Sequence, residues 1–185
     1  MTRLGAVLLV VSAAVSVVLR IGPPSVTYGE VAPDDLRALT QSTWARFTAA
    51  FPARRSCLTP VTVTGAWELG DRARYDPDRA LVTVRIPGTA PNVTASLVHE
   101  FAHHLDFTCG AHRMLRSAFL AAQDIPQHAP WFGGVTWGRT PSEHFAEAVT
   151  EYVLGPRSAG GRIFVSARAL GAIRDWAVQA SPKSS

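Results

Sequence analysis

Residues 97–106 read LVHEFAHHLD, and this stretch restricts the fold more than any other in the chain. On a helix each residue turns by about 100°, so Leu97, Val98, Phe101, Ala102 and Leu105 share one arc. His99 and His103 fall about 40° apart on the other side, one turn from each other, and Glu100 lies about 60° from His103. Asp106 comes beside His99 in projection, one turn past His103. The segment is therefore expected to be a helix with an apolar back in a core and a polar front on a cleft. His104 projects beside Leu97, away from the pair, and reads as a surface or structural residue.

His99-Glu100-Phe101-Ala102-His103 is an HExxH motif. Its two imidazoles can converge on one metal ion, and Glu100 can reach a water bound to that ion. A catalytic zinc needs a third protein ligand and one open position. The extended pattern HExxHxxGxxH does not supply the ligand, because Asp106 stands at its glycine and Cys109 at its last histidine; His112 is off the spacing. A glutamate on a later helix is the other solution. In SEHFAEAVTEYV (142–153), Glu143 and Glu147 are four apart on one face with Thr150 beside them. Phe145, Ala146, Val149, Tyr152 and Val153 form the opposite face. Spacing alone leaves Glu143 and Glu147 equal candidates.

The rest of the chain sets the frame. Its 185 residues are one domain's worth. The net charge is +4, and 17 of the 18 basic residues are Arg, Lys183 being the exception. The Arg are scattered apart from Arg54-Arg55, so no basic stripe of nucleic-acid-binding type is present and no nucleic-acid partner is expected. Arg3 precedes an uncharged apolar run from Leu4 to Leu19, closed by Arg20. Residues 1–22 are expected to be a signal peptide or an N-terminal membrane anchor, with residues 4–19 making any membrane attachment. Either role puts the remainder outside the cytoplasm, secreted or anchored, where Cys57 and Cys109 are expected to pair as a disulfide.

Residues 23–32 read as a linker rich in Pro and Gly, and 33–182 as the domain. Residues 33–51 read as a helix. Residues 58–69 and 79–87 read as strands joined by a turn-rich connection, giving an antiparallel hairpin whose second strand, ending near Ile86, is a candidate edge. Helices are expected over 91–108, 111–123, 142–154 and 166–180, with a long loop over 124–141 whose Trp131–Trp137 stretch would wall the cleft. The fold class is α+β: a small antiparallel sheet or hairpin packed with helices, HExxH on the central one. His112 and His128 read as surface residues.

HEFAHHLD followed by GRTPSEHFAEAV resembles the catalytic core of anthrax toxin lethal factor and its bacterial relatives, which are gluzincin metallopeptidases. The resemblance covers Leu97 to Leu154. The family's HExxH helix ends in an Asp, here Asp106. Its Gly-Arg-Thr approach falls on Gly138-Arg139-Thr140, and its Glu-x-Phe-Ala-Glu on Glu143, Phe145, Ala146 and Glu147. It implies a zincin-like arrangement with Glu143 as third ligand beside His99 and His103. It implies that Glu147 accepts from a ligand histidine's free N–H, and Asp106 is expected to support the ligands in the same manner. One position departs: the family has Tyr before Gly-Arg-Thr, and this chain has Trp137. Transition-state or substrate contacts could then come from Trp137, Arg139, His144 or a tyrosine such as Tyr75.

The expectation is a monomeric extracytoplasmic zinc metallopeptidase with one catalytic Zn²⁺, acting on peptide or protein substrates. The metal would lower the pKa of a water, and Glu100 would take its proton and deliver it to the leaving amine. The alternative is a catalytically weak or inactive zinc-binding extracellular module, which Trp137 motivates and an intact Glu100 argues against.

Overall fold

The structure, a computed structural model, describes residues 24–133, 136–156 and 163–179. The expected signal or anchor at 1–22, its attachment segment 4–19 and residues 180–182 lie outside the described residues. Among the described residues no helix is long and apolar enough to cross a membrane.

The fold is α+β, four short strands against six helices. Strand β1 (Val26–Tyr28) leads through helix α1 (Asp34–Ala50) to β2 (Val61–Ala66), and β1 and β2 pair in parallel. Strands β3 (Ala73–Asp76) and β4 (Leu81–Arg85) follow, and the sheet order is β1-β2-β4-β3. Two expectations are corrected here. The segment read as a linker contains β1. The two strands read as an antiparallel hairpin, β2 and β4, are parallel neighbours, and the hairpin is β3–β4.

Residue chemistry accounts for the difference. In β4, Val82 and Val84 are buried, as are Val61 and Val63 in β2, so both strands suit the sheet interior. The intervening Ala73-Arg74-Tyr75-Asp76 carries two charges, which favour an edge. The edge beside α2 is thus β3, and the strand ending near Ile86 is interior.

Helix α2 (Ala90–Cys109) crosses the centre of the domain against the sheet, α1 and α5 (Pro141–Leu154). It ends at Gly110, whose φ of 68° is left-handed and closes the helix through its N–H to the Asp106 carbonyl. The expected helix over 111–123 is broken into α3 (Ala111–Met114) and α4 (Arg116–Ala122), and α6 (Ala167–Val178) closes the fold.

The apolar back of α2 meets an aromatic cluster. Phe101 packs edge-on to Trp44 at 4.8 Å and to Phe47 at 5.6 Å. Phe47, Phe51, Phe101, Phe119 and Phe145 are fully buried. Arg54 is buried too. Its guanidinium lies 4.7 Å over the Trp176 ring and donates to the Trp176 and Gln179 carbonyls, satisfying the end of α6.

Cys57 and Cys109 form a disulfide across a sequence separation of 52. It ties the C-terminus of α2 to the segment after α1, so β2, β3, β4 and α2 lie inside one closed loop. By loop length, replacing both cysteines with serine is expected to cost about 2–4 kcal/mol. Urea unfolding of the two forms checks this; an unchanged midpoint would mean that packing alone holds the loop.

Candidate metal centre

Two amphipathic helices build the site. α2 buries Val93, Leu97, Val98, Phe101, Ala102 and Leu105, and α5 buries Phe145, Ala146, Val149 and Val153. Packed together, they leave their polar stripes meeting at the floor of a cleft of about 780 Å³. Its walls include Tyr75 of β3, Phe107 and Trp137.

The structure brings His99, His103 and Glu143 together. His99 Nε2 lies 3.0 Å from Glu143 Oε2, and His103 Nε2 lies 3.4 Å from Glu143 Oε1. Donors about 2.0–2.1 Å from a tetrahedral ion sit about 3.3 Å from one another, so these separations fit a small ion's ligands. Side-chain exposures of 14% for His99, 12% for His103 and 19% for Glu143 leave the cluster open only towards the cleft. The group could therefore hold a metal ion.

Glu147, one turn along α5, places Oε1 3.4 Å from His99 Nδ1. This leaves His99 Nε2 free to face the ion while Nδ1–H donates to Glu147, an arrangement that fixes ring and tautomer. Glu100 is 7% exposed and lines the cleft beside both histidines. Burial raises its pKa, assisted by the Glu143 charge; His99, His103 and the Tyr75 backbone amide oppose the rise.

Burial alone would lower the pKa of His99, but hydrogen bonds to Glu143 and Glu147 and the Glu100 charge lift it to about 10. Burial would raise Glu143, and the two histidines outweigh it and hold the carboxyl well below the usual range. A proton and a metal ion thus compete for one anionic cluster.

Trp137 sits in a short 3-10 turn, Trp137–Arg139, with its ring 6.2 Å from His99 at 24°, so it covers one side of that ligand. Arg139 is exposed, and its side chain is not among the cleft's lining residues.

Several expectations are corrected. His144 turns away from the cleft: its Nε2 donates to the Gly138 carbonyl at 3.1 Å and its Nδ1 accepts from Gln123 at 3.2 Å. It braces the 137–139 turn on Gln123, the residue that caps α4. Asp106 is fully buried, and its contacts are to Trp131 Nε1 at 2.6 Å, His112 N at 2.6 Å and His112 Nδ1 at 3.0 Å, with no ligand histidine. His112 is accordingly a structural partner and not a free surface residue. Trp131 is buried on Asp106, so among the described residues of that stretch Trp137 alone walls the cleft.

His104 is fully buried. The Thr59 carbonyl, 3.0 Å from its Nε2, can only accept, so Nε2 carries the proton. Nδ1 then accepts from the Tyr75 hydroxyl at 2.9 Å. Burial lowers His104, and burial with the Asp76 charge pushes Tyr75 up to about 12. With its hydroxyl donated to His104, Tyr75 serves the wall. Sequence reasoning missed β3 as that wall; the tyrosine within a charged four-residue stretch was its one signal.

No family model, curated protein or solved structure matches this chain. The site is read from its own geometry.

The competition has a sign. His99 has a higher pKa folded (about 10) than its ordinary 6.5, so its contribution to metal-free stability is complete below 6.5 and is lost as pH rises through about 10. Chelator-stripped protein is expected to melt at a lower temperature at pH 9.5 than at pH 6.5. At pH 7–8 each ion bound should release about one proton from His99, measurable by calorimetry in buffers of different ionisation enthalpy. Ion uptake without proton release would contradict the assignment.

Proposed function

We propose that this chain is an extracytoplasmic zinc metallopeptidase, with His99, His103 and Glu143 as ligands and Glu100 as general base. One observation carries the reading: both Nε2 atoms converge on the Glu143 carboxylate at 3.0 and 3.4 Å, next to a buried Glu100, on the floor of an open cleft. Two imidazoles and one carboxylate, with a side left open, are a zinc hydrolase's donor set. The resemblance to lethal-factor-like gluzincins points the same way. The disulfide, with the basic-then-apolar N-terminus, supports an extracytoplasmic location, secreted or anchored.

Zinc held there supplies Lewis-acid polarisation to a peptide carbonyl and to water. The chain supplies the rest. β3 is a sheet edge lining the cleft, on which an extended peptide can add as a further strand. Its Tyr75 stands across the cleft from the histidines. Glu100 accepts the proton of the attacking water and returns it to the leaving amine; a base with a raised pKa is matched to both transfers. Glu147 holds His99 in register through Nδ1. Trp137, stacked near His99, shields that ligand from one side.

A second reading is a zinc-binding module with little or no catalysis. It is favoured by Trp137, which brings an indole where the resembled family has a phenol. The two readings separate on one substitution. Glu100→Ala is expected to keep a full equivalent of zinc and to lose about 10²–10⁴-fold in peptide cleavage. Equal cleavage by wild type and variant, or none by either, would sink the peptidase reading. Glu143→Ala is expected to release zinc, and Glu147→Ala to weaken its binding about 10–100-fold. Metal content after dialysis, by mass spectrometry, reads both; full zinc retention by Glu143→Ala would remove it from the ligand set.

A further inference from the structure

The cleft is charged at one end only. Beyond the histidines it opens into a recess of about 170 Å³ lined by Arg72, Arg85, Asn92 and Ser96. Arg72, Arg85 and Ser96 also line the main cleft, so the two spaces adjoin. A backbone bond from Arg85 N to Arg72 O, 2.9 Å long, sets the two arginines side by side at the end of β4 and just before β3. Both are exposed, and among the described residues neither guanidinium has an ion pair or hydrogen bond. The third arginine of the cleft, Arg74, is paired with Asp71 at 3.1 Å. The remaining acids of the cleft are Glu100, Glu143 and Glu147, all gathered at the histidines. At the other end stands Phe107, stacked 4.8 Å from Phe132, with no charged group in the pair.

We propose that the cleft selects an extended peptide bearing an acidic side chain close to the scissile bond, its carboxylate held by Arg72 and Arg85. The inference rests on the peptidase reading and adds the substrate class. Two arginines lining one recess supply planar forks of donors suited to a carboxylate, and they repel a lysine or arginine at that position.

The spacing sets where the acid falls. Ser96 marks the recess and lies three residues before His99 on α2, a rise of about 4.5 Å. β3 runs alongside in the same sense: Arg72, before it, is at the recess, while the Tyr75 ring lies 5.6 Å from His104 and 5.9 Å from Phe107. An extended peptide advances about 3.3 Å per residue, so the acidic residue lies about one to three residues from the scissile bond, on one side only. The opposite side of the bond meets Phe107.

Binding and cleavage test this separately. Zinc-loaded Glu100→Ala protein is titrated with fluorescein-labelled peptides that carry Glu, Gln or Lys at one position of an otherwise neutral sequence. At a single position, the Glu peptide is expected to bind about tenfold more tightly than the Lys peptide. Adding Arg72→Glu and Arg85→Glu should reverse that order with zinc content unchanged. Wild-type protein should cleave the same peptides in the same order of kcat/KM. No preference for Glu at any position, no peptide binding, or a preference untouched by the arginine substitutions would overturn the proposal. Intact Glu-selective binding with no cleavage by wild type would sink the peptidase reading and leave the arginine site standing.

Discussion

The carboxylate of Glu143 faces two imidazoles at once, and the domain is arranged to hold it there. Two histidines and three glutamates under one cleft floor are tolerable only when their charges compensate one another or a bound ion. Compensation here needs α2 and α5 held in one relative register. The apolar backs of the two helices provide it. Phe101 and Phe145 are fully buried, and Val98, Ala102, Ala146 and Val149 fill the space around them. A slide of one turn, about 5.4 Å, would leave Glu143 out of reach of one imidazole.

That arrangement was legible where it is local. The i, i+4 spacing of His99 and His103 carries its own geometry, and so does the apolar back of each helix. What spacing left equal, tertiary packing distinguishes: Glu143 meets both Nε2 atoms, whereas Glu147 meets the Nδ1 of His99. Asp106 shows the limit from the other side. Projection put it beside His99, but at the last turn of α2 its carboxylate is taken by Trp131, 25 residues on, and by His112 after the left-handed Gly110. No helical wheel contains those partners. The sheet failed for a related reason: a strand as short and charged as Ala73–Asp76 lacks alternation, so the pairing order was invisible.

The histidines outside the metal cluster show how the scaffold uses the same ring differently. In His104 and His144 one nitrogen meets a carbonyl, which settles the tautomer, and the other accepts from a side chain. His104 links α2 to β3, and His144 links α5 to α4 and to the turn carrying Trp137. Each is a clip between separate elements of the fold, and each stands next in sequence to a member of the metal cluster. The metal-facing and clip-forming roles alternate along the chain because neighbouring helical positions point about 100° apart.

The clip at His104 has a mechanical consequence. It joins the helix under the cleft to the strand along its wall through a bond with one end fully buried, so the gap between them is set like the jaws of a fixed gauge. Spreading the jaws would strand the imidazole without its hydroxyl partner in the core. The opening is therefore braced on this side by a contact that runs from its wall into the core.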